Sequence, residues 1–543
     1  MPKHIVLCSD GTGNTPAKGR GTNVWKIYTA VDRHDHEDNP GRHLPSQVAF
    51  YDDGVGADGI RALRLAGGAF GQGLSRNIRE LYAALVLNWE ESDKIFLFGF
   101  SRGAFTIRSL AGMVCRCGLL GRGDYLKRGV DERMRVLKKI LRAYRSERDS
   151  AARDVREEFG LRQIAIEFVG VWDTVDAVGV PFDELKAIDR VWRRLFGVRL
   201  WGFHDRVLSS KVKRGCQALA IDDERRTFHP NVWAPRKEGG IEQVWFAGVH
   251  SNVGGGYPKE ELSNVSLYWM MRQAERSGLR FVPDAVEDAH NQGNGHGKLY
   301  NSRAGLAVYY RYTPRDIAAL CGDGAVHVHV TAMDRLRWAT DGYAPTNLPE
   351  TFTVVDPDAA KKLGVQERVN EHQRYVEASR TERRALRDTA AALSAMRIRL
   401  YYGLIAATLL LVLTLLPSLW SFERLQERVA SVSAALRPAL GWANPAITWI
   451  LGNLEGVVSA TIGIAIPNTL TRLIESLERT PELATFLLLL AGALFWRQRV
   501  LVRKMRELGE AVWRKAYDPA RRTHVAGGGG AGQPNAGSTL PVP

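Results

Sequence analysis

Gly99-Phe100-Ser101-Arg102-Gly103 follows the apolar run Ile95–Phe98 and precedes a helix-forming stretch that begins near Ala104. A serine between two glycines, at a sharp strand-to-helix turn, stands clear of its sheet and can act as a nucleophile. Side chains at Gly99 and Gly103 would collide with the adjoining helix and strand. The Arg102 N–H, at a helix N-terminus, is suited to stabilise an oxyanion.

A hydroxyl nucleophile needs a base and an acid that orients the base, in the order Ser, Asp or Glu, His when the sheet is of the α/β-hydrolase kind. Asp173 follows the apolar run Ile164–Val171 and is the first choice of acid, with Asp176 second. His250 follows the apolar Glu242–Phe246 and precedes Gly254-Gly255-Gly256, whose backbone freedom suits a loop folded over a site. His204 and His229 are substitutes; His34, His36 and His43 lie in a polar loop, and His327 and His329 alternate along a strand. Ser9-Asp10-Gly11-Thr12-Gly13-Asn14 ends the first apolar run, and Gly11 or Thr12 is the expected second oxyanion donor. Asp10 is out of place beside an oxyanion. With Asp53 and Asp173 it offers a rival reading, a Mg²⁺ site for phosphoester hydrolysis.

The elements that would position these residues alternate strand and helix over the first ~360 residues, the pattern of an α/β fold with a mostly parallel sheet and helices on both faces. Strands are expected at Ile5–Cys8, Gln47–Tyr51, Lys94–Phe98, Ile164–Val171 and Glu242–Phe246. Helices are expected at Asn23–Arg33, Leu74–Trp89, Ala104–Cys115 and Val265–Arg276. With 543 residues the chain is too long for one ordinary domain. Its five cysteines show no C-x-x-C pair, which argues for reduced thiols facing the cytosol and against a disulfide framework or structural zinc. Met1 leads straight into the first strand without a secretory signal.

Leu400–Phe422 runs 23 residues without a charge, long enough to cross a bilayer, and 480–496 is a shorter second candidate. Arg380, Arg383, Arg384, Arg387, Arg397 and Arg399 precede the first, and Arg497, Arg499, Arg503, Lys504 and Arg506 follow the second. The positive-inside rule then puts both ends in the cytoplasm and Glu423–Glu482 outside, with Pro438–Leu470 able to lie in or dip into the bilayer. The expected layout is a catalytic domain over 1–360, a basic helical stalk at 366–399, a membrane region at 400–496 whose helices span 400–422 and 480–496, a basic helix at 497–526 and a disordered tail at 527–543. The net charge of +15 clusters beside the apolar segments, so an anionic membrane is the expected partner; no nucleic-acid motif stands out.

Asp10-Gly11-Thr12-Gly13-Asn14, GFSRGA, VWDTV, Ala218–Trp233, WFAGVHSNVGGGY and Tyr343–Pro349 occur in this order. Together they resemble the α/β-hydrolase domain family that includes the first class of type VI secretion phospholipase effectors, over about residues 3–350. The resemblance implies a Ser-Asp-His triad of Ser101, Asp173 and His250. It also implies a lipase or phospholipase acting on phospholipid or another acyl ester, with no cofactor. The family commonly carries Asp where this chain has Asn252, and an aromatic where it has Gly13; the apolar carboxyl half has no counterpart in an effector. The reading is therefore a multi-pass bacterial inner-membrane hydrolase with a cytoplasmic head, the alternatives being the Mg²⁺ phosphohydrolase and a non-catalytic membrane receptor or scaffold.

Overall fold

The computed structural model describes residues 2–11, 21–33, 44–53, 69–146, 148–175, 207–360, 362–420, 423–440 and 481–517. Within them runs β1 (His4–Ser9), α1 (Asn23–Ala30), β2 (Gln47–Asp52), α2 (Ala69–Asn88), β3 (Lys94–Phe100), α3 (Arg102–Cys117), α4 (Val130–Arg145), β4 (Ile166–Trp172) and β5 (Val212–Ala220). There follow β6 (Ile241–Phe246), α5 (His250–Gly254), α6 (Glu261–Arg276), β7 (His327–His329), α7 (Val330–Arg337) and β8 (Thr353–Val355). The chain continues with α8 (Leu363–Ala378), α9 (Arg380–Trp420), α10 (Glu423–Leu440) and α11 (Pro481–Ala516).

The eight strands form one sheet in the order β2-β1-β3-β4-β5-β6-β7-β8, every pairing parallel. Period-two alternation supplies both faces with apolar side chains. Ile5, Leu7, Ile95 and Leu97 join one core with Leu74, Ile78, Leu81 and Leu85 of α2, much of α3, and Ile140 and Tyr144 of α4. Val6, Cys8, Phe96, Phe98 and Phe100 join the other with Val24 and Ile27 of α1 and Met270 and Ala274 of α6. The expected α/β sheet with helices on both faces is thus present. β5 and β8 are strands that hydrophobic runs alone did not mark, β7 is the strand expected from the alternation of His327 and His329, and α3 begins two residues earlier than expected, at Arg102.

The register brings the strands' carboxyl ends level: Ser9 pairs with Asp52 and Gly99, Phe100 with Trp172, and Ala220 with Phe246. The residues that follow, Asp10, Ser101, Asp173, Asp222 and His250, therefore emerge along one edge of the sheet.

The chain divides into two compact units, one of Met1–Tyr310, Pro314–Asp388 and Leu508–Pro543, the other of Arg311–Thr313 and Thr389–Glu507. In the first, the expected stalk is not one helix. Ser379 caps α8, its hydroxyl donating to Tyr375 O in competition with the helix ladder, and α9 starts afresh at Arg380. Among the described residues, two helices are long and apolar enough to cross a membrane, judged by length and composition, at Arg380–Leu411 and Glu482–Lys515. α11 runs unbroken from the apolar stretch into the basic one, because no proline or cap intervenes. Ser433 Oγ donates to Glu482 Oε2 at 2.7 Å and Arg437 Nε to Oε1 at 2.9 Å, tying α10 to the start of α11. Residues 441–480, including most of Pro438–Leu470, and the tail beyond 517 lie outside the described residues.

Candidate active site

Ser101 sits between β3 and α3 with φ 58° and ψ −120°, a conformation a non-glycine residue adopts only when its surroundings impose it. The imposition is visible on both sides. Ser101 N–H donates to Trp172 O at 3.1 Å, and Phe105 N–H bonds back to Ser101 O at 3.3 Å. A Cβ at Gly99 would lie 2.7 Å from Ala104 Cα, and one at Gly103 would lie 2.1 Å from Ser9 O. Both glycines are required because backbone, not a movable side chain, fills the space.

His250 opens α5, with its Nε2 2.8 Å from Ser101 Oγ and its Nδ1 2.6 Å from Asp173 Oδ2. All three residues are buried. The imidazole lies against Phe100, ring centroids 4.6 Å apart, with Phe228 edge-on at 5.0 Å. Gly254 has no room for a side chain, since a Cβ would meet the Phe100 ring at 2.0 Å. Gly254 thus serves packing at the end of a short helix rather than an open loop.

Asp173 follows β4 with φ 40°; its N–H donates to Ala218 O at 2.8 Å and its Oδ1 accepts from Ala220 N–H at 3.0 Å. Arg315 grips the same carboxylate with both terminal nitrogens at 2.7 Å, and also donates to Ala220 O and Phe228 O. Burial alone would raise the Asp173 carboxyl, but the Arg315 guanidinium and the His250 hydrogen bond hold it far below the ordinary carboxylate range. Burial lowers His250 below the usual histidine value of 6.5, opposed by its bond to Asp173, so the imidazole is neutral and fit to accept a proton at neutral pH.

Asp223, buried, and the half-buried Asp222 hold the backbone at and just before the histidine. Asp222 Oδ2 accepts from Gly248 N–H at 2.6 Å and from Tyr343 OH at 3.0 Å; Asp223 Oδ2 accepts from His250 N–H at 3.2 Å. Their charges differ. Burial pushes Asp222 up to about 7, since its close donors are neutral. Asp223 is lowered despite burial because Arg225 hydrogen-bonds both its oxygens, at 3.0 and 2.7 Å. Asn252 Oδ1 accepts from Val249 and Tyr300 N–H, and its amide donates to Lys298 O at 3.0 Å, a bond that aspartate could not make.

The remaining expectations divide. Arg102 N–H stands at the start of α3, next to Ser101. Gly11 needs correction as an oxyanion donor: its N–H is turned onto Asp10 Oδ1 at 2.6 Å. Thr12, Gly13, Asp176 and His204, and His34, His36 and His43, lie outside the described residues. Asp10, expected to be awkward, accepts from Tyr51 OH at 2.7 Å, from Thr22 Oγ1 and from Gly11. His229 Nδ1 lies 3.1 Å from Arg226 and is not in the serine chain. Asp10, Asp53 and Asp173 are not gathered: Asp53 is exposed, and among the described residues no group of three acidic, histidine or cysteine side chains is placed to hold a metal ion. Sequence reasoning missed Arg315, Asp222, Asp223 and Phe228. The last three lie inside the motif Ala218–Trp233; Arg315 carries no local signal.

Residues 3–273 match the family described as "T6SS, Phospholipase effector Tle1-like, catalytic domain". An uncharacterised protein of Saccharomyces cerevisiae is 24% identical over 430 residues, covering 55% of this chain; the chain spans 60% of that relative's length. Among solved structures, an uncharacterised protein from Pseudomonas aeruginosa is 17% identical with a TM-score of 0.35, covering 72% of this chain and 62% of that one. The Tle1 effector bound to the VgrG spike of the type VI secretion system is 15% identical with a TM-score of 0.32, covering 56% of this chain and 78% of that one. Over residues 3–273, ending within α6, this chain belongs to the Tle1-like family of type VI secretion phospholipase effector catalytic domains.

Proposed function

We propose that the protein is a serine ester hydrolase acting on phospholipid or another acyl ester. The family supports a lipolytic hydrolase at the coarse level. The observation that carries the finer reading is the unbroken run of hydrogen bonds from Ser101 Oγ through His250 to Asp173 at a strained turn. Ser101 Oγ attacks the ester carbonyl while His250 Nε2 takes its proton, then returns it to the departing alcohol. Water, deprotonated by the same imidazole, releases the acyl group and restores the serine. Asp173 keeps the Nδ1 proton in place and stabilises the imidazolium, and Arg102 N–H with the α3 N-terminus stabilises the oxyanion.

The reading extends to a multi-pass membrane anchor with the hydrolase head on the cytoplasmic side. Two apolar helices support it. So does the placing of both flanks of the apolar segment in the same unit as the sheet: Trp513 Nε1 donates to Pro345 O at 3.1 Å, and Arg383 lies 5.7 Å from the Trp513 ring centroid. A segment that leaves and re-enters one unit crosses a bilayer an even number of times.

Covalent labelling of the detergent-solubilised protein by a fluorophosphonate tests the mechanism. Wild type should label and Ser101→Ala should not; an Ala variant that labels, or folded wild type that does not, overturns it.

A further inference from the structure

Arg315 touches no reacting atom in the mechanism above, yet it is fully buried and four of its hydrogen bonds end on the groups that frame His250. Two go to Asp173, one to Ala220 O at the end of β5, and one to Phe228 O, whose ring lies edge-on to the imidazole. Arg315 O in turn accepts from Asn347, in the motif Tyr343–Pro349, and Asn347 also bonds Ile221 O beside Asp222. The arginine is held from both its backbone and its guanidinium.

A lone buried carboxylate behind an imidazole would favour the imidazolium strongly, and so keep the histidine protonated at mildly acidic pH. In this site the carboxylate is not alone. We propose that Arg315 is a positioning residue for the Ser101 reaction: its planar fork fixes the Asp173 rotamer, and its charge cancels that of Asp173, so that His250 remains a neutral proton acceptor into mildly acidic conditions. The proposal rests on the serine-hydrolase reading. The other charged groups facing the Asp173–His250 pair are Asp222, Asp223 and Arg225. Arg225 is engaged by both oxygens of Asp223, and Asp222 accepts from Gly248 N–H and Tyr343 OH, so none of the three brings the pair a free positive charge in place of Arg315. Removing the Arg315 charge therefore leaves one net negative charge on the pair and raises its affinity for a proton, whichever of the two residues takes it.

The test uses the full-length protein and the rate of fluorophosphonate labelling against pH, which needs no knowledge of the natural substrate. Wild type should lose labelling with an acid limb below pH 6.5, the ordinary histidine value. Arg315→Gln should label more slowly and its acid limb should move up by about one unit or more. Arg315→Lys keeps the charge but not the fork. It should label about 10- to 100-fold more slowly with its acid limb where wild type has it. An unmoved limb in Arg315→Gln, or Arg315→Lys labelling at the wild-type rate, overturns the proposal. If Arg315→Gln gives no cooperative melt, Arg315→Lys decides: slow labelling by a folded variant supports the role, and labelling that merely tracks its unfolded fraction overturns it. Failure of wild type to label, or labelling of Ser101→Ala, would instead sink the underlying reading.

Discussion

The sheet-bearing unit and the helical unit treat their apolar residues in opposite ways. In the first, Ile5, Phe96, Phe98, Ile107, Phe168 and Trp172 are all fully buried, and the helices that cover them turn charged faces outward. In the second, Leu409, Leu410, Leu488, Leu489, Phe495 and Trp496 are exposed, and only 28% and 22% of the most apolar windows of its two long helices are buried. A run of outward leucines of that length is unfavourable in water and natural in lipid. One unit makes its own apolar interior; the other leaves large apolar side chains exposed along its long helices.

That contrast can be broken most forcefully at Gly103. A side chain there meets Ser9 O and Asp10 O at 2.1 and 2.5 Å, backbone atoms that cannot step aside. Gly103→Val should cost more than about 4 kcal/mol or abolish cooperative unfolding of the sheet-bearing unit. Gly123→Val, with nothing within 4 Å, is the control and should unfold in denaturant like wild type. The helical unit should respond to a different insult. Leu410→Arg with Leu489→Arg adds about 2.5–3.5 kcal/mol per residue to membrane insertion, and should release the protein from membranes on alkaline extraction. The hydrolase unit's thermal melt should not move; retention in the membrane fraction would remove the distinction between the units.

The smallest expected effect sharpens the comparison within the buried site. Asp222 has its carboxyl raised to about 7 by burial, above its unfolded value, so the folded state binds the extra proton. Its contribution is fully present below the unfolded value and is lost as pH rises from about 4 through 7. Asp222→Asn keeps an acceptor for Gly248 N–H and has no charge to bury. Its melting temperature relative to wild type should therefore rise between about pH 5 and pH 8, by the equivalent of about 2 kcal/mol. A constant difference across that range would show that Asp222 is ionised throughout.

Much of the candidate site is legible along the chain because Ser101 and Asp173 directly follow apolar strands of a parallel sheet and His250 lies four residues past the end of another. Ser101, Asp173 and His250 can be picked on that ground, and the structure brings them within hydrogen-bonding distance. The Gly99 and Gly103 requirement is legible too, since a sharp turn between strand and helix leaves no room for a Cβ. Gly11 turns its N–H onto Asp10 because a polar loop offers its N–H groups to any nearby acceptor, and Asp10 is one residue away. β7 is marked only by the alternation of His327 and His329, and β8 escaped notice because a three-residue strand carries too little alternation to register.

Most of the strands, the elbow serine, the two long apolar segments and their basic flanks are written in local composition and spacing. They arise from period-two and helical patterns that a short window contains. The charge states of the site's aspartates are another matter. Asp222 and Asp223 are neighbours of the same residue type, yet one sits near neutral donors and the other beside Arg225. Arg315 reaches Asp173 from 142 positions away, and His250 meets Ser101 across 149. Such pairings depend on which loops the sheet gathers at its edge, and in a buried site the partner, not the residue, determines who carries the charge.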